Sequence, residues 1–252
     1  MANYSVEPNP DIAYKLAYED EHLLVVDKPC RVVSTPGAGH ERTSLLSGLF
    51  ATFGNELQNL GKDRDFGMLH RLDRETSGLL LVARKKSSYD ALRALFEKRE
   101  IKKFYFAVAA NAPRQDSGVI RKPIAESRQG SIPKNGEMKL AKLSGSGKPA
   151  ITAYRVLSRG PAACLLECRA VTGRLHQLRV HLDSIGCPIF GDGLYAPPPV
   201  AAGAPRLALH AHRIALNHPM TGEPLDVRSP LPKDLRHLIK RLGMTLDETK
   251  AG

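Results

Sequence analysis

Apolar residues along this chain gather into short runs separated by polar, proline-rich and glycine-rich stretches. Leu23-Leu24-Val25-Val26, framed by Glu19, Asp20, Glu21 and Asp27 and closed by Lys28-Pro29, predicts a buried strand. Gly78 to Ala83 and Phe104 to Ala110 read the same way. Ile151 to Leu157 and Cys164 to Val171 are β-rich, the first alternating, and Leu207 to Leu216 predicts a further strand. Between these runs the apolar positions switch to helical spacing. Leu45, Leu46 and Leu49 predict a short helix over 43–53 opening on Thr43, and Leu92, Leu95 and Phe96 a helix with a Ser87/Asp90 capping box. Leu175, Leu178, Leu182 and Ile185 predict a helix capped by Thr172 and ended by Gly186. A last helix, Lys233 to Leu242, turns Leu235, Leu238, Ile239 and Leu242 inward and its basic residues outward, with Gly243 closing it.

Residues 113–149 differ in character. They are rich in Gly, Ser, Lys and Arg and poor in large apolar side chains, which predicts surface loops and short hairpins. Strands and helices mix without strict βαβ alternation and without an internal repeat. An α+β fold, a single domain on a mixed, mostly antiparallel sheet, is expected.

Composition narrows the function. With 252 residues the chain can bury a core without disulfides or a structural metal. Lys and Arg number 37 against 26 Asp and Glu, a net charge of +11, which favours a polyanionic partner, nucleic acid or an anionic membrane face, over a charge carried for solubility alone. No apolar run approaches the ~18 residues of a spanning helix. The start, MANYSVEPNPDIAYK, lacks the basic patch and apolar core of a signal peptide. Cys30, Cys164, Cys168 and Cys187 form no CxxC pair and read as small buried hydrophobes of a reducing cytoplasm.

Two polar clusters sit beside buried elements. Residues 69–78, LHRLDRETSG, crowd His70, Arg71, Asp73, Arg74 and Glu75 into a loop before a buried strand, where sites tend to be built; a solvated charged turn fits equally well. Residues 172–182, TGRLHQLRVHL, put Arg174, His176, Gln177 and Arg179 at a helix start, with His176 and Arg179 sharing one side away from the leucines. Such a start favours anions, and a solvated basic face is the alternative. No metal site is expected. His176 and His181 are five apart and point to different sides of a helix, and His210 and His212 have no third ligand at a recognisable spacing. No Walker loop, GxGxxG or GxSxG is present, so neither a nucleotide cofactor nor serine hydrolysis is supported.

HRLDRETSGLLL closely resembles the signature of the RluA-type pseudouridine synthases, RNA enzymes that convert uridine to its C-glycoside isomer. YEDEHLLVVDKPCRVVSTPG resembles the family's opening segment, KKFYFAVA its tyrosine motif, TGRLHQLRVHLDSIGCPIFGD its basic motif and LALHAHRIALNHPMTGEPLDVRSPLP its closing segment. These lie in the family's order across most of residues 18–232. The resemblance implies the pseudouridine synthase fold with a central RNA-binding cleft, in one catalytic domain over 18–245 between tails at 1–17 and 246–252. The short acidic start is expected to leave no room for the N-terminal RNA-binding domain of many relatives. By the same resemblance Asp73 is the catalytic aspartate, Tyr105 stacks on the target base and handles the proton at its carbon 5, and Arg179 pairs with the aspartate. Arg71 fills the space of a flipped base, and Arg74, Arg174, His176 and Gln177 join it in RNA binding. No cofactor is implied. The partner is RNA, ribosomal or transfer, and a monomer without an obligate protein partner is expected.

The residue types suit that chemistry. Exchanging a nucleoside's N-glycosidic bond for a carbon bond needs no redox step, and one ionised carboxylate suffices as nucleophile or base. A nearby arginine offsets the burial that would protonate it. The target base must leave its stack, which points to RNA with unstacked bases. A catalytically silent RNA-binding domain of the same fold would be free to lose any of Asp73, Tyr105 and Arg179, and all three are present. A metal-dependent nuclease lacks clustered carboxylates.

Overall fold

The computed structural model describes residues 4–132 and 136–246, the side chains of 127–139 excepted. In chain order the strands and helices begin with β1 (Lys15–Glu19), β2 (Leu23–Lys28), α1 (Leu45–Leu60), β3 (Ser77–Ala83) and α2 (Lys86–Glu97). Then come β4 (Lys102–Ala110), β5 (Ser117–Ile120), β6 (Ile124–Ile132), β7 (Gly136–Leu143), β8 (Thr152–Arg159) and β9 (Ala163–Ala170). The chain closes with α3 (Gln177–Asp183), α4 (Pro198–Ala201), β10 (Leu209–Asn217), β11 (Pro224–Arg228) and α5 (Lys233–Arg241). The backbone divides into two compact units, Met1–Ile101 with Arg213–Ser229, and Lys102–His212 with Pro230–Gly252. β10 passes from the second to the first between His212 and Arg213.

In the first unit β1, β2 and β3 form an antiparallel ladder, and the end of β10 pairs antiparallel with β11. β3, SGLLLVA, is buried along its whole length, as its unbroken apolar run demands. β1 and β11 are largely exposed edge strands with little apolar pattern, and the sequence reading missed both. Helix α1 corrects the expectation at 43–53. It is capped by Ser44, whose hydroxyl accepts from the Ser47 amide at 3.0 Å, while the Thr43 hydroxyl meets His40 Nδ1 at 3.0 Å instead. It bends at Phe53 and continues to Leu60, because Leu57 and Leu60 extend the buried stripe. Residues 4–14, set apart above as a tail, lie along this helix. Tyr4 donates to Asn55 Oδ1 at 2.7 Å, and its ring covers Gly54 so closely that a Cβ there would stand 2.8 Å from it. Residues 247–252 of the expected C-terminal tail fall outside the described residues.

Helix α2 packs on β3, and its box is built by Ser88, which accepts from the Lys85 amide at 3.3 Å. Asp90, expected in that box, instead holds Arg64 at 3.0 and 3.1 Å.

In the second unit β4, β9, β8 and β5 form a continuous antiparallel ladder. The stretch expected as loops and short hairpins contributes β5 and one long antiparallel hairpin, β6–β7. The fold is α+β on a mixed, mostly antiparallel sheet, with an isolated parallel bridge between Val33 and Ser44. Among the described residues no helix is long and apolar enough to cross a membrane, and no group of three His, Cys, Asp or Glu could hold a metal ion.

The polar centre of the second unit is ionic. His212 on β10 stacks on Phe106 of β4 at 3.7 Å and places Nε2 3.0 Å from Glu167 of β9, whose other oxygen takes Arg155 at 2.8 Å. Burial pushes the Glu167 carboxyl up, but His212 and Arg155 outweigh it, and the group sits below its ordinary range. A carboxylate whose folded pKa is depressed stabilises the fold above its unfolded pKa and ceases to as pH falls through the folded value. Glu167→Gln is therefore expected to cost about 3 kcal/mol at pH 7, and to flatten the fall in melting temperature between pH ~5 and ~3. Calorimetry of both proteins across that range checks it, and parallel pH profiles would refute it.

Candidate active site

The loop that carries Asp73 is fixed mainly through its backbone. Leu72 is buried between exposed Arg71 and half-buried Asp73, the alternation of an extended segment. Its amide donates to the Ser34 hydroxyl at 3.0 Å, and that hydroxyl donates back to the Leu72 carbonyl at 2.9 Å. Thr76 N closes a turn onto the Asp73 carbonyl at 3.1 Å. Upstream, His70 Nε2 accepts from the Leu81 amide at 3.1 Å, so the ring is neutral at that nitrogen and tied to β3.

Beneath the loop lies Lys28, with 0% of its surface exposed. Its ammonium donates to the carbonyls of Pro29 at 2.9 Å, Val32 at 2.7 Å and Arg74 at 3.4 Å. Cys30 Sγ meets the Glu75 carbonyl at 3.1 Å. A buried cation is tolerated only when it is well bonded, and this one fastens the residue after Asp73 to the end of β2. The sequence reading took the LLVVDKP segment for a strand and its stop; nothing in a lone Lys-Pro marks it as a support. Arg71 and Arg74 stay exposed, the latter 3.6 Å from Glu75.

The second cluster folds differently from the expected helix. Helix α3 starts only at Gln177, after His176 in a left-handed conformation at φ 49°, and Thr172 caps nothing. The Thr172 hydroxyl accepts from the Ile151 amide at 2.9 Å and donates to Gln177 Oε1 at 2.6 Å. Gln177 Oε1 also accepts from the Arg174 amide at 3.1 Å, and Nε2 donates to the Ile151 carbonyl and the Thr152 hydroxyl, both at 3.0 Å. The chain continues from Thr152 to His181 Nδ1 at 2.9 Å and from His181 Nε2 to the Lys122 carbonyl at 2.8 Å. Burial lowers the His181 pKa and keeps that ring neutral. Residues 172–176 are thus a loop shaped by side-chain bonds that compete with helical ones. Gln177, expected to contact RNA, is 4% exposed, and both faces of its amide are used inside the protein. Its part is to shape the loop. Gly186 ends the helix as expected, at φ 76°.

Arg179 has a partner that the sequence reading did not name. Its Nε and Nη2 donate to Asp192 at 2.8 and 2.6 Å, a bidentate pair with side chains 6% and 1% exposed. Burial raises the Asp192 carboxyl, but Arg179 and the Leu194 and Tyr195 amides hold it below its ordinary range. Gly191 before it sits at φ 76° against the Arg206 carbonyl, where no Cβ fits. Tyr195 lies under Arg179, its ring centroid 5.0 Å from Cζ, and bonds His176 Nδ1 at 2.8 Å. Arg174, half-buried, donates from Nε to the Pro149 carbonyl at 3.1 Å.

Tyr105 lies near the middle of strand β4, opposite Cys168 of β9, and is 8% exposed. Two residues earlier Lys103 reaches Gly173 of the loop, its Nζ 3.7 Å from where a Cβ would stand. Burial pushes that ammonium down to about 8, so it can exchange a proton near neutral pH. The doubled lysine in IKKFYF was the available signal, and it reads as an exposed strand end.

A family model described as RNA pseudouridylate synthase matches residues 22–184. The chain is 39% identical to a ribosomal large subunit pseudouridine synthase D of Nitrosomonas europaea over 92% of its own length, and spans 66% of that relative, just under two thirds. It is 37% identical to a protein of the same description from Zymomonas mobilis, covering 92% of this chain and 74% of the relative. Among solved structures, human RNA pseudouridylate synthase domain containing 4 superimposes with a TM-score of 0.70 at 25% identity, over 92% of this chain and 94% of that one. The motif-bearing loops described above lie within or beside the matched span, and the chain belongs to the RNA pseudouridylate synthase family.

Proposed function

We propose that this protein is an RNA pseudouridine synthase that isomerises uridines of ribosomal RNA, with Asp73 as its catalytic carboxylate. The observation that carries the reading is the construction around Asp73. Asp73 stands half-exposed on a loop whose neighbouring carbonyls and amides are locked by Ser34 and Lys28, in a chain of this family. Such a loop holds one carboxylate at a fixed point, as a nucleophile or base must be held. The descriptions of the bacterial relatives favour large-subunit ribosomal RNA over transfer RNA. The +11 charge supplies the sequence-independent attraction to RNA.

In this reading the bond from the sugar to N1 of uracil breaks and a bond to carbon 5 forms. The carbon 5 proton leaves, and N1 takes one up. Tyr105 offers the aromatic face and hydroxyl suited to stacking and to handling that proton. Arg179, held straight by Asp192, brings a fixed positive charge for a carboxylate or a phosphate. Arg74, Arg174 and His176 contact RNA, and the protein works as a cytoplasmic monomer without metal or cofactor.

Asp73→Asn keeps shape and removes charge. Pseudouridine formation is expected to fall by more than about 10³-fold while RNA binding stays within a few-fold. Mapping pseudouridine across total RNA from cells with and without the gene supplies the target, and retained turnover by the variant would end the assignment. Full activity in EDTA is expected, and a loss restored by added metal would reverse the metal-free reading.

Arg179→Ala leaves Asp192 buried without its cation, so it is expected to cost about 3–5 kcal/mol of stability as well as most of the activity. Urea unfolding beside turnover measures both, and a variant normal in each would remove Arg179 from the site.

Arg71 is exposed two residues before Asp73, and a planar guanidinium can fill the place of a flipped base. Unstacking costs a few kcal/mol, least for an unpaired base. Arg71→Ala should therefore slow single turnover about ten-fold or more on a stem-loop with a paired target uridine, and little on one with the target unpaired. Equal losses on both substrates would assign Arg71 to general RNA binding.

A further inference from the structure

The β6–β7 hairpin and the residue 172–176 loop converge on one side chain, Tyr195, in the turn after Asp192. Its hydroxyl accepts from the Ala141 amide of β7 at 2.9 Å and lies 2.8 Å from His176 Nδ1. An oxygen that accepts from the hairpin has its own proton to give His176, which in the neutral ring leaves Nε2 as the N–H. The ring serves a second purpose. It lies 5.0 Å below the Arg179 guanidinium carbon and edge-on to His176, with centroids 5.6 Å apart. Its amide donates at 3.2 Å to Asp192 Oδ1, the oxygen that also takes Arg179 Nη2. Beneath it Ile124, Ala141, Ala150 and Val180 form a small buried cluster, so the hairpin base and α3 are packed where the tyrosine bonds them.

We propose that Tyr195 is a positioning residue that registers the β6–β7 hairpin and His176 against Arg179. The proposal rests on the RNA-modifying reading. The hairpin and its flanks, residues 121–148, carry seven lysines and arginines against two glutamates, the composition of an arm that tracks a phosphate backbone. An arm hung from the Tyr195 hydroxyl places bound RNA at a set distance from the arginine that the same ring supports. The two ends of the side chain separate the two duties. The hydroxyl governs how RNA is held, and the ring governs how Arg179 is presented.

The test compares Tyr195→Phe, which keeps the ring, with Tyr195→Leu, which removes both ends. Amide hydrogen exchange in the full chain reads the hairpin, and steady-state kinetics on a transcript containing the mapped uridine reads the site. In Tyr195→Phe the Ala141 amide is expected to exchange about five-fold faster and KM to rise about five-fold, with a smaller change in kcat. In Tyr195→Leu kcat is expected to fall about ten-fold further, as Arg179 loses the aromatic face, and restoring the ring as Phe recovers it. Unchanged Ala141 exchange in Tyr195→Phe, or equal kcat in the two variants, would overturn the proposal. If Tyr195→Leu does not fold, exchange and the KM-against-kcat split in Tyr195→Phe decide the matter alone. Wild-type protein that forms no pseudouridine would overturn the functional reading, while Ala141 exchange would still decide whether Tyr195 holds the hairpin.

Discussion

A guanidinium 6% exposed has to be met by a carboxylate, and the pairing of Arg179 with Asp192 is the constraint around which this part of the second unit is arranged. Breaking either partner would leave an uncompensated buried charge, so the backbone is bent to bring both into place. Gly191 takes a conformation open only to glycine at its close approach to the Arg206 carbonyl, which puts Asp192 where two amides and one arginine can reach it. The turn that follows delivers Tyr195 to the arginine's open face. The planar fork then has its edge fixed by oxygen and one face fixed by an aromatic ring, a geometry a lysine could not reproduce.

The Asp73 loop is stabilised by a different device. There Asp73 is half-exposed, and the charge that braces its loop, Lys28, lies beneath the backbone. Lys28 spends its ammonium on main-chain carbonyls, and Ser34 both accepts from and donates to Leu72. At the Asp73 loop the residues that do the positioning, Lys28 and Ser34, are more buried than the aspartate they position, because a hydrogen bond removed from water is firmer and harder to replace.

The main strands and the last helix were legible because their apolar positions follow one unambiguous pattern each. β2 and β3 each carry an apolar run, LLVV and LLLVA, and α5 buries Leu235, Leu238 and Ile239 against a basic outer side. The edge strands β1 and β11 were not, since a strand paired on one side can carry mostly exposed polar residues. The leucine spacing at 175, 178 and 182 correctly marked an apolar stripe, but periodicity cannot register that Thr172 and Gln177 bond each other and pull the first turn open. The same blindness assigned Gln177 to the surface, because its burial depends on Ile151 and Thr152, 26 and 25 residues away in sequence.

What the sequence determined by itself is the inventory: α+β class, a basic surface, the family motifs, and the places of Asp73, Tyr105 and Arg179 within them. The class and the charge follow from local pattern and composition, and the motif residues from the resemblance of their segments to a known family. Only the tertiary structure decided who supports whom. The bonds of Lys28 to a loop 46 residues away, of Arg179 to Asp192, and of Tyr195 to a hairpin 54 residues earlier are side-chain bonds between segments distant in sequence. No local periodicity encodes such bonds. They arise because burying a polar group without a partner costs more than bending the chain to supply one.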